Sequence, residues 1–151
     1  MSLFGEGPRG SAVALFARIA LGAGFLSAVA DRFGLWGAVG ASGVAWGDFE
    51  RFTAYTATLL GPVPTSWVPL FAVAATVAEI ALGLLLWVGY RTRLAGLFSG
   101  VLLMAFALAM TFAGGVKDPL DSSVFSAAAG GLLLALVGGG RWSFDGRVGR
   151  P

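Results

Sequence analysis

WVPLFAVAATVAEIALGLLLWV, residues 67–88, decides the fold of this chain. As an α-helix the stretch rises about 33 Å, enough to cross the roughly 30 Å hydrocarbon core of a bilayer, and Glu79 is its only ionisable residue. A charge at the centre of a membrane helix costs roughly 2.5–3.5 kcal/mol on insertion scales. Glu79 therefore requires a partner, a cavity or a ligand.

Three further apolar segments flank this one. Ser11 to Ala30 is interrupted only by Arg18, Leu94 to Ala113 carries no charge, and Ser122 to Gly140 carries none either. With 57% hydrophobic residues, 12% charged residues and a mean hydropathy of +0.83 over 151 residues, the composition exceeds what a soluble core can hide. The expectation is an all-α integral membrane four-helix bundle forming a single domain over residues 1–151. Its helices are placed at about 11–32, 67–89, 93–113 and 121–139. Pro69 suits the first turn of the second helix, where a missing N–H costs little, and Asp121 is the expected cap of the fourth. The turn from Gly89 to Thr92 is short enough to make the second and third helices antiparallel neighbours.

Basic residues set an expected orientation. With both termini in the cytoplasm, Arg9, Arg91, Arg93, Arg141, Arg147 and Arg150 lie inside, against Arg32, Arg51 and Lys117 outside. This excess follows the positive-inside rule and predicts N-in, C-in. Trp67, Trp87 and Trp142 then mark the helix ends as an aromatic belt does. The long outer connection, Asp31 to Ser66, contains Phe49, Phe52, Tyr55, Thr56 and Leu59 at helical spacing after Asp48, an N-cap residue type. A short amphipathic helix is expected there, read first as an interfacial anchor and second as a functional lid over the bundle.

Several functions are excluded or set aside. The chain has no Cys and no His, so it offers no thiol chemistry, disulfide or cysteine-ligated cluster, and haem and zinc lose their commonest ligands. No basic run supports nucleic-acid binding. Gly5, Gly7 and Gly10 spell G-x-G-x-x-G, but no strand precedes them and Pro8 is expected to break the intended helix start, so a dinucleotide site is rejected. Ala28-Val29-Ala30 resembles a signal-cleavage site; retention of the first helix is the expectation.

Helical spacing puts Ser11, Ala14, Arg18 and Gly22 on one stripe, and Ala72, Ala75, Glu79 and Gly83 on another. Small residues admit close helix approach, so both stripes are expected to face the bundle, with Arg18 as the partner of Glu79. Gly96-x-x-x-Gly100 and the stripe Ser122, Ser126, Gly130 add small or polar positions from the remaining helices. Three readings stand open: Arg18 and Glu79 neutralise each other structurally, they line a small polar pocket, or Arg18 snorkels to the surface and leaves Glu79 alone.

The residues also carry a family resemblance. Phe16-Ala-Arg18-Ile-Ala-Leu-Gly22, Phe52-Thr-Ala-Tyr55-Thr, Glu79-Ile-Ala-Leu-Gly83 followed by Gly89-Tyr-Arg-Thr-Arg93, Lys117-Asp-Pro-Leu-Asp-Ser-Ser-Val-Phe125-Ser-Ala, and Trp142-Ser-Phe-Asp145 resemble, in order and spacing, the DoxX family of small bacterial membrane proteins. The resemblance implies a four-helix bundle in the bacterial inner membrane, with Arg18 and Glu79 at the characteristic positions. It implies membrane subunits of quinone-linked oxidoreductases, partners in redox-defence complexes, or assembly factors. On this basis the expected function is an accessory or membrane-anchor subunit of a quinone-linked oxidoreductase complex, not an independent enzyme. The chain has no intrinsic cofactor on this reading, with a quinone as its ligand and redox-complex subunits or a second copy as partners. The candidate ligand-binding residues are Arg18, Glu79, Trp36, Trp46, Phe49, Phe52 and Ser126. The alternatives are a non-catalytic scaffold or assembly factor with a structural Arg18/Glu79 pair, and a small-molecule carrier, which the absence of an inverted repeat disfavours.

Overall fold

The computed structural model describes residues 7–148, and all regular structure among them is helical. Gly5 of the glycine pattern and Arg150 of the basic count lie outside them. The elements are α1 (Pro8–Arg32), α2 (Phe49–Leu60), a 3-10 turn (Thr65–Trp67), α3 (Val68–Val88), α4 (Thr92–Gly114), α5 (Lys117–Asp121), α6 (Val124–Val137) and α7 (Phe144–Val148). Among these, α1, α3 with its preceding turn, and α4 are long and apolar enough to cross a membrane. Their outward faces carry Phe16, Phe71, Val77, Leu84, Phe98 and Leu108, all exposed, a surface that suits lipid better than water.

The buried positions of α1 include the stripe Ser11, Ala14, Arg18, Gly22, Phe25, Val29, Arg32, and those of α3 the stripe Ala72, Thr76, Glu79, Gly83, Leu86. Both follow the alternating four-and-three spacing of a helix seam. The two helices pack together along it, and glycines set the closeness: a Cβ on Gly22 would stand 2.9 Å from the Gly83 carbonyl oxygen. On the other side α4 packs along α6, where a Cβ on Gly131 would stand 2.7 Å from the Gly100 nitrogen and one on Gly96 2.8 Å from the Gly131 oxygen. Backbones this close leave no room for any side chain. The glycine motif of α4 thus meets Ala128 and Gly131 of α6, while Gly130 turns toward Leu21 of α1.

The fourth apolar segment differs from its expected form. Instead of a helix over 121–139, the chain makes α5, breaks at Ser122 and Ser123, and restarts as α6. Ser123, at the α6 N-cap, has φ +56°, a left-handed conformation that ends α5. Asp121 closes α5 against Lys117 and caps nothing in α6. With 14 residues, α6 spans about 21 Å, short of a full bilayer crossing.

The helix expected in the long connection is present as α2, with the Asp48 carboxylate accepting from the Arg51 amide at 2.7 Å. Ahead of it, Asp31 at the end of α1 accepts from the amides of Ala45 and Gly47 at 2.8 and 3.3 Å. This ties the loop back across the end of the bundle.

At the opposite end the motifs Gly89–Arg93 and Trp142–Asp145 fold onto each other. The Asp145 carboxylate accepts from the amides of Arg91 and Thr92 at 2.8 and 2.7 Å, supplying from α7 the cap that α4 lacks locally. The Asp145 amide donates to the Gly89 carbonyl, Phe144 packs edge-on against Tyr90, and the Ser11 hydroxyl accepts from the Arg141 amide at 3.1 Å.

Candidate functional site

Glu79 pairs with Arg32, not with Arg18. Arg32 Nη1 lies 2.6 Å from Glu79 Oε2 and donates to Thr76 Oγ1 at 2.8 Å; Thr76 in turn donates to the Ala72 carbonyl. Both charged residues are 2% exposed. The Arg32 guanidinium sits 3.7 Å from the Phe52 ring centroid and 5.4 Å from that of Trp46, so aromatic faces replace part of its lost hydration. Its Nε has no hydrogen-bond partner.

Helix direction explains the correction. On a helix every side chain leans toward its own N-terminus, and α1 and α3 run antiparallel, with Gly22 facing Gly83. That register places Glu79 level with Leu26. Arg32 starts about 9 Å above this level and leans down, while Glu79 leans up toward it. Arg18 starts about 12 Å below and leans further away.

Arg18 belongs to the other end. It is 1% exposed, donates from Nη2 to the Trp142 carbonyl at 3.2 Å, and leaves Nε and Nη1 unpartnered. It packs beneath Gly89, whose φ of +74° and absent side chain make room for the guanidinium. It neither pairs with Glu79 nor snorkels to the surface.

Beside the Arg32–Glu79 pair lies a cavity of about 780 Å³, within the size range of small-molecule sites. Phe25, Leu21, Leu103, Phe106 and Met110 supply apolar wall; Trp46, Phe52, Tyr55 and Leu59 form the roof; Ser122, Ser123 and Ser126 add hydroxyls at one margin. Burial pushes the Tyr55 phenol above its usual range, and the Asp118 carboxylate adds to this, so Tyr55 keeps its proton as a donor. Two smaller depressions, of about 290 and 420 Å³, sit around Tyr90 and around Arg91 to Asp145, remote from Glu79.

Of the sequence-derived candidates, Glu79, Trp46, Phe52 and Ser126 line the large cavity. Arg18, Trp36 and Phe49 do not. Trp36 is exposed and donates to the backbone carbonyl and hydroxyl of Ser27, both at 3.1 Å. Phe49 stacks on Phe33 behind the roof. The amphipathic helix, read first as an anchor, contributes Phe52, Tyr55 and Leu59 to the cavity and roofs it. Sequence reasoning missed Arg32 by counting it as a loop charge. The signal was present, since Arg32 stands two heptads after Arg18 on the same face. The chain matches no family model, no curated protein and no solved structure.

Proposed function

We propose that this protein is a DoxX-type four-helix protein of the bacterial inner membrane, serving as a membrane subunit or accessory of a quinone-linked oxidoreductase complex. The observation that carries the reading is the buried Arg32–Glu79 pair on the wall of a largely apolar cavity. A site with a few convergent polar groups in an apolar chamber suits a lipophilic molecule with a polar head. Arg32 and Tyr55 hold a head-group oxygen by hydrogen bonds, and Glu79 is the group positioned to give or receive a proton. A bound quinone would supply the redox chemistry; with no Cys or His in the chain, electrons come from a partner subunit. For orientation, Arg9, Arg91, Arg93, Arg141 and Arg147 cluster at the Asp145 end, whereas Arg51 and Lys117 mark the α2 end and Arg32 is neutralised by Glu79. This favours the Asp145 end as cytoplasmic.

The test is the amount of quinone co-purifying per mole of protein in mild detergent. Near-stoichiometric quinone is expected in the wild type and in Arg18→Met, falling to background in Arg32→Met and Glu79→Gln. Equal background levels in all four would overturn the reading. They would favour the alternative of a non-catalytic scaffold or assembly factor, which is supported by the mutual neutralisation of Arg32 and Glu79.

A further inference from the structure

The walls of the large cavity differ in exposure. Phe25, Arg32, Phe52 and Glu79 are buried, whereas Ala20 and Gly24 on α1, Ala45 in the loop, Ser122 and Ser123 at the α5–α6 junction and Ser126 on α6 are exposed. The open side therefore includes the flank between α1 and α6 and reaches the α5–α6 junction. These helices run antiparallel, and at the Asp145 end the segment that follows α6 meets the start of α1, where a Cβ on Gly140 would stand 2.9 Å from Ser11 Cα. Leu21 stands between them, 3.8 Å from a Cβ built on Gly130. Toward the α2 end the cavity edges continue with small residues, Gly24 and Ala28 on α1 and Ser126 and Ala127 on α6, before Val124. Much of the aqueous end is covered, because Asp31 ties down the loop carrying Trp46 and α2 lays Phe52 and Tyr55 across the top, while Ser122 and Ser123 stay exposed beside the slot.

We infer that the α1–α6 gap is a lateral slot through which a bilayer amphiphile reaches the cavity, its hydrogen-bond-accepting head against Arg32 and its long apolar tail leaving between Gly24 and Ser126. The inference rests on the cavity being a ligand site, as proposed above, and adds its route and the shape of its occupant. Two independent features carry it. One lip lies on α1, long and apolar enough to span a membrane, and the other on the shorter apolar α6, so the slot opens to hydrocarbon. At the deep end the Nε of a 2%-exposed arginine has no partner, and a buried donor of this kind is stabilised by an acceptor. A tailed quinone and a phospholipid share the required chemistry.

The experiment uses the full chain in lipid nanodiscs and reads Trp46 fluorescence, isolated as the difference between wild type and Trp46→Phe. The probes are decyl-benzoquinone and a phospholipid brominated along its acyl chains, both of which quench tryptophan on contact. Saturable Trp46 quenching by decyl-benzoquinone is expected. Gly24→Leu and Ser126→Leu should slow its onset and its release about tenfold while changing the equilibrium midpoint less than about threefold, as a narrowed passage does. Unchanged rates with intact binding would overturn the slot and leave the site standing. Absence of quenching by either probe would overturn both. Quenching by the brominated phospholipid alone, slowed by the same substitutions, supports the slot with lipid as its occupant. Ala20→Leu on the same lip serves where Gly24→Leu does not purify as a monodisperse protein.

Discussion

Arg32 and Arg18 stand on one face of one helix, yet they carry opposite expectations. Arg32 is held by Glu79 and Thr76 and covered by Phe52. Removing it leaves a buried carboxylate without its cation, a loss of about 3–5 kcal/mol by analogy with broken buried pairs. Arg32→Met is therefore expected to lower unfolding stability in mixed micelles by that amount. The double variant Arg32→Met/Glu79→Leu should recover most of it, because two apolar groups need no compensation. Arg18 has a single hydrogen bond and two unpartnered nitrogens, so Arg18→Met is expected to be neutral or stabilising in the same assay. A loss in Arg18→Met as large as in Arg32→Met would contradict this account. At this scale Glu79 was legible as an inward-facing charge in need of a partner, because an isolated carboxylate in an apolar run is informative by itself. Its partner was not, because lean and register belong to a pair of helices.

Among the elements, α4 depends on contacts from both sides. Its N-terminal amides have no local cap and are satisfied by Asp145 from α7. Asp145→Ala is expected to cost about 1 kcal/mol, with hydrogen exchange at the Arg91 and Thr92 amides rising before the rest of α4. The α4–α6 seam permits a sharper comparison between adjacent glycines. Gly131→Ala drives a methyl into the Gly100 backbone and should destabilise by about 1–3 kcal/mol. Gly130→Ala meets nothing closer than 3.8 Å and should be neutral or gain up to about 1 kcal/mol of helix propensity. The start of this element was also misjudged from sequence. Charge-free residues from Ser122 onward read as one helix, whereas the left-handed Ser123 divides α5 from α6, and nothing in hydropathy marks a backbone reversal of that kind.

For the molecule as a whole, the link from Ser11 to Arg141 brings the start of α1 and the start of the C-terminal segment to the same end. Since the chain has no cysteine, single-cysteine variants can report topology directly. Arg9→Cys and Arg147→Cys are expected to react with an impermeant maleimide from the cytoplasmic side, and Arg51→Cys and Lys117→Cys from the other. Labelling of positions 9 and 147 from opposite sides would rule out this arrangement. Hydropathy and length alone determined that the chain is helical, because a backbone in hydrocarbon must satisfy its own hydrogen bonds, and located the three helices that can cross a membrane; the structure shortened the expected fourth. Spacing alone also determined that Glu79 faces inward. The tertiary structure alone decided that Arg32 meets Glu79 and that α2 roofs a cavity. Each depends on which helices are neighbours, their direction and their stagger. These quantities are set by glycine-to-backbone contacts between segments far apart in the chain, and no local pattern encodes them.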